Sequence, residues 1–118
     1  MADATGPDKL AYYADVAASD PGRDYQRRVL AALELRPGHT VLDVGCGPGT
    51  DLADMAAAVT ETGQVIGGDA EAAMVDEARR RTAGMPWVQV RVGDAHALPL
   101  ADGSVDRARA VLRRRYKG

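Results

Sequence analysis

Asp43-Val44-Gly45-Cys46-Gly47-Pro48-Gly49-Thr50 is the stretch of this chain best suited to receive a small polar ligand. Glycines at alternate positions let the backbone turn tightly and let a ligand approach closer than a Cβ would permit. Set under the start of a helix, such a loop presents backbone N–H donors to an anionic or polar group. A carboxylate follows at a telling distance: Asp69 stands 24 positions after Gly45 and 20 after Gly49. From the tip of the next strand it can accept hydrogen bonds from both hydroxyls of a ribose. The same side chain could instead cap the helix that begins at Glu71, and both readings put an acceptor at one spot. Cys46, inside the loop, has no adjacent base to make it a nucleophile. His96 sits in a loop downstream, and His39 precedes the first strand without functional context.

The elements that must position these residues are legible from periodicity. Pro7 to Ser19 places Leu10, Tyr13, Ala14 and Ala17 on one helical face and ends at Asp20-Pro21-Gly22, read as a turn. A second helix, with Asp24 as its N-cap, aligns Tyr25, Val29, Leu30 and Leu33 and stops at Arg36-Pro37-Gly38. Thr40–Val44 is short and β-branched, a buried strand. Thr50 then caps a helix with Leu52, Met55, Ala56 and Val59 inward. Gln64–Asp69 forms the second strand, Glu71–Arg81 a helix with Met74, Val75 and Ala78 inward, and Trp87–Val92 the third strand. Strands alternating with helices of about ten residues mean βαβ units around a parallel sheet. Ser104–Ala110 fits a fourth strand or a helix equally, since Asp106, Arg107 and Arg109 sit poorly in a strand buried on both faces.

At 118 residues, with 46% hydrophobic and 27% charged positions, the chain reads as one domain. Its longest apolar run, Met55 to Val59, is far short of a membrane span. The acidic N-terminus does not resemble a secretion signal, so a cytoplasmic location is expected. One cysteine excludes an intrachain disulfide and a cysteine zinc cluster, and no metal site is expected. Residues 1–105 hold 16 acids and 9 bases, whereas residues 106–118 hold one acid and six bases. With an acidic body and little aromatic interleaving, this basic tail reads as a solvated helix end at the negative pole of the helix dipole, not as a nucleic-acid surface.

The dinucleotide fingerprint Gly-x-Gly-x-x-Gly would need glycine at position 50, where the chain has Thr50. The spacing Gly-x-Gly-x-Gly within Val41–Thr50 resembles instead the first motif of the class I S-adenosylmethionine-dependent methyltransferases. Val65-Ile66-Gly67-Gly68-Asp69 with Met74 and Ala78-Arg79 resembles the motif that follows. Gly93 to Asp106, with its Gly-Asp-Ala-x-x-Leu-Pro phrase, resembles the next. The resemblance implies an α/β, Rossmann-like three-layer sandwich with a mostly parallel sheet. It implies S-adenosyl-L-methionine as cofactor and S-adenosyl-L-homocysteine as product. It implies that the Gly45, Cys46, Gly47 and Gly49 loop lies against the methionine part and ribose, and that Asp43 orients the loop and the ammonium. Asp69 would hold the ribose, Ala70 and Met74 would pack on the adenine, and Asp94 and Ala95 would read the adenine edge, with His96 nearby. Tyr12 and Tyr13 belong to a leading helix of the kind that covers the cofactor in similar enzymes.

The resemblance covers the cofactor-binding half: residues 1–39 as leading helices, 40–106 as the βαβαβ core and 107–118 as the tail. The family's sheet has seven strands, and this chain has three or four. Alternatives to a methyltransferase acting on a small molecule are a non-catalytic binding module, or a fragment that needs a partner chain. An open sheet edge recruits a partner, so a homodimer across that edge or through swapped termini is expected. No catalytic base is identifiable.

Overall fold

The computed structural model describes residues 7–93 and 104–110. Its elements run α1 (Pro7–Ala18), α2 (Asp20–Leu33), β1 (Thr40–Val44), α3 (Leu52–Val59), β2 (Gln64–Asp69), α4 (Ala72–Arg81), β3 (Val88–Val92) and β4 (Arg107–Ala110). The strands lie in the order β3-β2-β1-β4 and every pairing is parallel. This is the expected α/β, Rossmann-like arrangement, with two helices ahead of the first strand.

The core forms against one sheet face. Val41 of β1 is in register with Val65 of β2, and both are fully buried, as are Leu52, Met55, Ala56 and Val59 of α3 and Val75 and Ala78 of α4. Val90 of β3 and Leu33 of α2 close the same cluster. Each inward position expected for α3 and α4 is therefore occupied as the helical period requires. Trp87 falls just outside β3; its indole N–H donates to the Ala56 carbonyl at 3.0 Å and its own carbonyl accepts from Val65 at 3.0 Å, which sets where β3 begins.

Several boundaries differ from the sequence reading. Asp20-Pro21-Gly22 is the first turn of α2, not a turn between helices. Ser19 is the N-cap and its hydroxyl accepts from the Gly22 N–H at 3.2 Å. Proline suits that turn because its missing N–H needs no partner there. Asp24 lies within the helix and pairs with Arg27 and Arg28 one turn on. The N-cap position of α3 is Asp51, not Thr50. Arg107–Ala110 is a strand, and no part of it is helical: its partly covered Arg107 and Arg109 alternate with exposed alanines. The Arg107 Nε donates to the Leu33 carbonyl at 2.9 Å, so the arginines expected as a solvated helix end are instead anchored in the sheet. Residues 111–118 of the basic tail lie outside the described residues.

Within α4, Glu77 accepts from Arg80 and Arg81 of the last turn. These hydrogen bonds lower its pKa to about 2. A carboxylate whose folded pKa is depressed stabilises the fold above its unfolded value and loses that contribution as pH falls through the folded one. Because the pair lies at the surface, with the Arg80 side chain 70% exposed, Glu77→Gln should cost only about 0.5 kcal/mol near neutrality. The Tm difference from wild type should shrink progressively between pH 4.5 and 2; a difference that grows on acidification contradicts this.

Candidate functional site

Beyond Val44 the chain turns through Gly45, Gly47 and Gly49, whose φ angles are +74°, +59° and +82°. Side chains other than glycine rarely adopt such values. The loop's donors, expected to face a ligand, are used within the protein. Gly45 and Cys46 N–H groups donate to the Gly68 carbonyl at 2.8 and 2.9 Å, Gly49 donates to the Cys46 carbonyl at 3.2 Å, and Gly47 donates to Asp69. The glycines therefore serve close approach, not an exposed nest of donors. Gly49 also meets α4: a Cβ there would lie 2.8 Å from Ala78 Cβ and 2.9 Å from Ala78 Cα. Gly49→Ala should lower stability by about 1–3 kcal/mol through clash and backbone strain, read as a reduced urea midpoint. An unchanged midpoint would show that the loop tolerates a side chain.

Asp69, 5% exposed, ends β2. Its Oδ2 accepts from the Gly47 N–H and its Oδ1 from the Glu71 N–H, both at 3.0 Å. The carboxylate thus ties the glycine loop to Glu71, the N-cap residue of α4, without bonding an N–H of the helix itself, and it keeps the acceptor at the tip of the strand. Ala70 is exposed beside it, and Met74 is fully buried on the inward side of α4. The chain leaves β3 at the same sheet end, where Gly93 N–H donates to the Asp69 carbonyl at 2.9 Å. Asp94, Ala95 and His96 lie outside the described residues. Cys46 is buried, with its thiol 3.5 Å from the Gly47 carbonyl.

The residue that sequence reasoning missed is Arg109. Register places it beside Asp43. Its Nε and Nη2 donate to the two Asp43 oxygens at 2.9 and 2.7 Å, and its Nη1 donates to Asp51 Oδ2 at 2.6 Å. Asp43 has no exposed surface and turns to Arg109. Burial works to lower the guanidinium's pKa, but the hydrogen bonds and charges of Asp43 and Asp51 outweigh it and raise the value further. The signal was indirect: an aspartate in mid-strand of a buried β1 requires a charge partner, and Arg109 is the unexpected base in a neighbouring strand.

Between this cluster, the loop and the leading helices lies a cleft of about 230 Å³, lined by Tyr13, Tyr25, Gln26, Pro48, Asp51 and Arg109 among others. Gln26 ties α2 to the far wall by donating to the Thr50 carbonyl at 3.3 Å and to Asp54 at 2.7 Å. Tyr13 lines the cleft while Tyr12 is 63% exposed, packed edge-on to it with ring centroids 5.7 Å apart. Tyr25, aligned with the core face in the sequence, is exposed at the cleft instead. Residues of α1 and α2 therefore line the cleft beside the glycine loop and Arg109 of β4.

Residues 41–114 match the family described as a methyltransferase domain. The chain belongs to the class I S-adenosylmethionine-dependent methyltransferase family. This methyltransferase domain is 52% identical over 103 residues to an uncharacterized 37.1 kDa protein in transposon TN4556 of Streptomyces fradiae, covering 87% of the chain and 30% of that protein. It is 31% identical over 125 residues to a demethylmenaquinone methyltransferase of Desulfitobacterium hafniense, covering 92% of the chain and 49% of that enzyme. Among solved structures, it resembles a SAM dependent methyltransferase from Aquifex aeolicus with a TM-score of 0.71 and 28% identity, covering 91% of the chain and 57% of that protein. The domain thus spans less than half the length of the curated relatives named here. Among its described residues, no helix is long and apolar enough to cross a membrane.

Proposed function

We propose that this chain binds S-adenosylmethionine over the tips of β1 and β2 and supports methyl transfer to a small-molecule acceptor, in the cytoplasm. The observation that carries the reading is Asp69: a carboxylate at the end of β2, hydrogen-bonded to a glycine loop whose backbone a Cβ would disrupt. The residues fit the cofactor. Asp69 would hold the ribose hydroxyls, Gly45 to Gly49 would lie against the ribose and methionine part, and Ala70 would flank the adenine with Met74 supporting that wall from beneath. Asp94, Ala95 and His96 would address the adenine edge. Asp43 would act through Arg109 to hold the loop.

When bound, the sulfonium supplies an electrophilic methyl group and a leaving group that departs neutral. The chain's part is to align and to exclude water. Tyr13 and Tyr25 cover the cleft, and Gln26 pins that cover to the loop and α3. No residue is assigned as general base.

Calorimetry with S-adenosylmethionine, S-adenosylhomocysteine and NAD tests the reading. Saturable binding of the first two and not of NAD supports it; binding of NAD alone overturns it. Tritium transfer from labelled S-adenosylmethionine then tests catalysis, with demethylmenaquinone as first acceptor because the Desulfitobacterium relative bears that name.

A second reading, a binding module that works with a partner chain, is favoured by the outer edge of β4, which pairs with no strand among the described residues. Homodimerisation across that edge or through swapped termini would complete the sheet. A stable monomer at micromolar concentration by light scattering excludes the homodimer.

A further inference from the structure

An ion pair ties the first helix to the far side of the proposed ribose site. The Lys9 ammonium donates to the Glu71 carboxylate, 62 residues further along the chain. Glu71 is the N-cap residue of α4, and its side chain makes no cap hydrogen bond. Its backbone N–H is held by Asp69 Oδ1 at 3.0 Å, so the pair stands directly beside the proposed ribose acceptor.

Lys9, Tyr13 and Val16 follow one another at spacings of four and three, and therefore share one face of α1. Further along that face, Tyr13 and Val16 line the cleft with Gly45, Cys46 and Arg109. From Lys9 to Val16 is about 10 Å of helix. From β2 to β4 is two strand spacings, again roughly 10 Å. The face thus reaches from the end of β2 to the cleft beside β4, and its two ends are held differently. The C-terminal end of α1 runs through Ser19 into α2, and Gln26 ties α2 to the Thr50 carbonyl and to Asp54. Among the described residues, α1 packs on α2 more than on any strand or core helix. Its other end is joined to the core by Lys9 and Glu71, whose side chains are 26% and 43% exposed. A pair this solvated shifts an equilibrium only a few-fold. The end that it frees on opening is the one beside Asp69.

We propose that Lys9 and Glu71 form a latch that closes α1 over the ribose end of the cofactor site, so that cofactor enters and product leaves while the pair is open. The inference rests on the cofactor reading above. Lys9 is a positioning residue: it acts through Glu71 on where α1 lies, and α1 retains the ligand and keeps water from it.

Dissociation rates of radiolabelled S-adenosylhomocysteine, chased with unlabelled ligand, test the latch in the wild-type chain, Lys9→Met, Glu71→Gln, the double variant, and the exchanged pair Lys9→Glu with Glu71→Lys. Each single variant should release the ligand about two- to fivefold faster, the effect of losing one partly solvated pair. The double variant should be no faster than either single one, because there is one interaction to lose. The exchanged pair should recover slow release. Salt should speed release from the wild type more than from the double variant. Unchanged release in the single variants, or effects that add in the double variant, overturn the inference. Hydrogen exchange on the unliganded chain supplies a readout that needs no cofactor: α1 amides should exchange faster in Lys9→Met while those of α3 stay as in the wild type. Equal acceleration in both helices marks a general loss of stability and overturns the latch. A wild-type chain that binds neither S-adenosylmethionine nor S-adenosylhomocysteine overturns the cofactor reading itself, and the exchange measurement then still decides whether the pair holds α1.

Discussion

Arg109→Met is expected to destabilise the fold by about 3–5 kcal/mol, the cost of removing the guanidinium that bonds both oxygens of a buried carboxylate. Asp43 is fully buried, and the guanidinium bonds both of its oxygens. Against a total stability of roughly 5–15 kcal/mol for a domain this size, the loss is large. A neutral pair of similar shape removes the uncompensated part of that charge, so adding Asp43→Asn to Arg109→Met should recover at least about half of the loss. Arg109→Lys should fall between, because an ammonium cannot make the two parallel bonds of a guanidinium fork. Urea midpoints of the four proteins check this. If the double variant is as unstable as Arg109→Met, the pair does not act by charge compensation.

Asp69→Ala should weaken S-adenosylmethionine binding by about 1–3 kcal/mol, some 5- to 150-fold in Kd, because the ribose hydroxyls lose their acceptor. It also strands the N–H groups of Gly47 and Glu71. A stability loss of similar size should therefore accompany it. The two effects separate by measurement: calorimetry on the folded fraction reports the ribose contact, and the urea midpoint reports the brace. A lowered midpoint with unchanged Kd would leave Asp69 as a structural brace and remove its binding role.

The sequence by itself determined the elements whose signals are local. The alternating glycines, the β-branched runs at residues 40–44 and 64–69, and the inward spacing of Leu52, Met55, Ala56 and Val59 each lie within one or two turns of chain, and the structure has each where its pattern requires. Tertiary structure alone decided what Arg107–Ala110 would be, because two arginines are admissible in a strand only if partners elsewhere satisfy them. Those partners, Leu33 for Arg107 and Asp43 with Asp51 for Arg109, lie 58 to 74 residues away along the chain. It decided too that the loop's donors turn inward, since that depends on where the Gly68 carbonyl and the Asp69 carboxylate arrive once β2 pairs with β1. Periodicity reports which face a side chain takes. Which group waits on that face is set when distant segments meet.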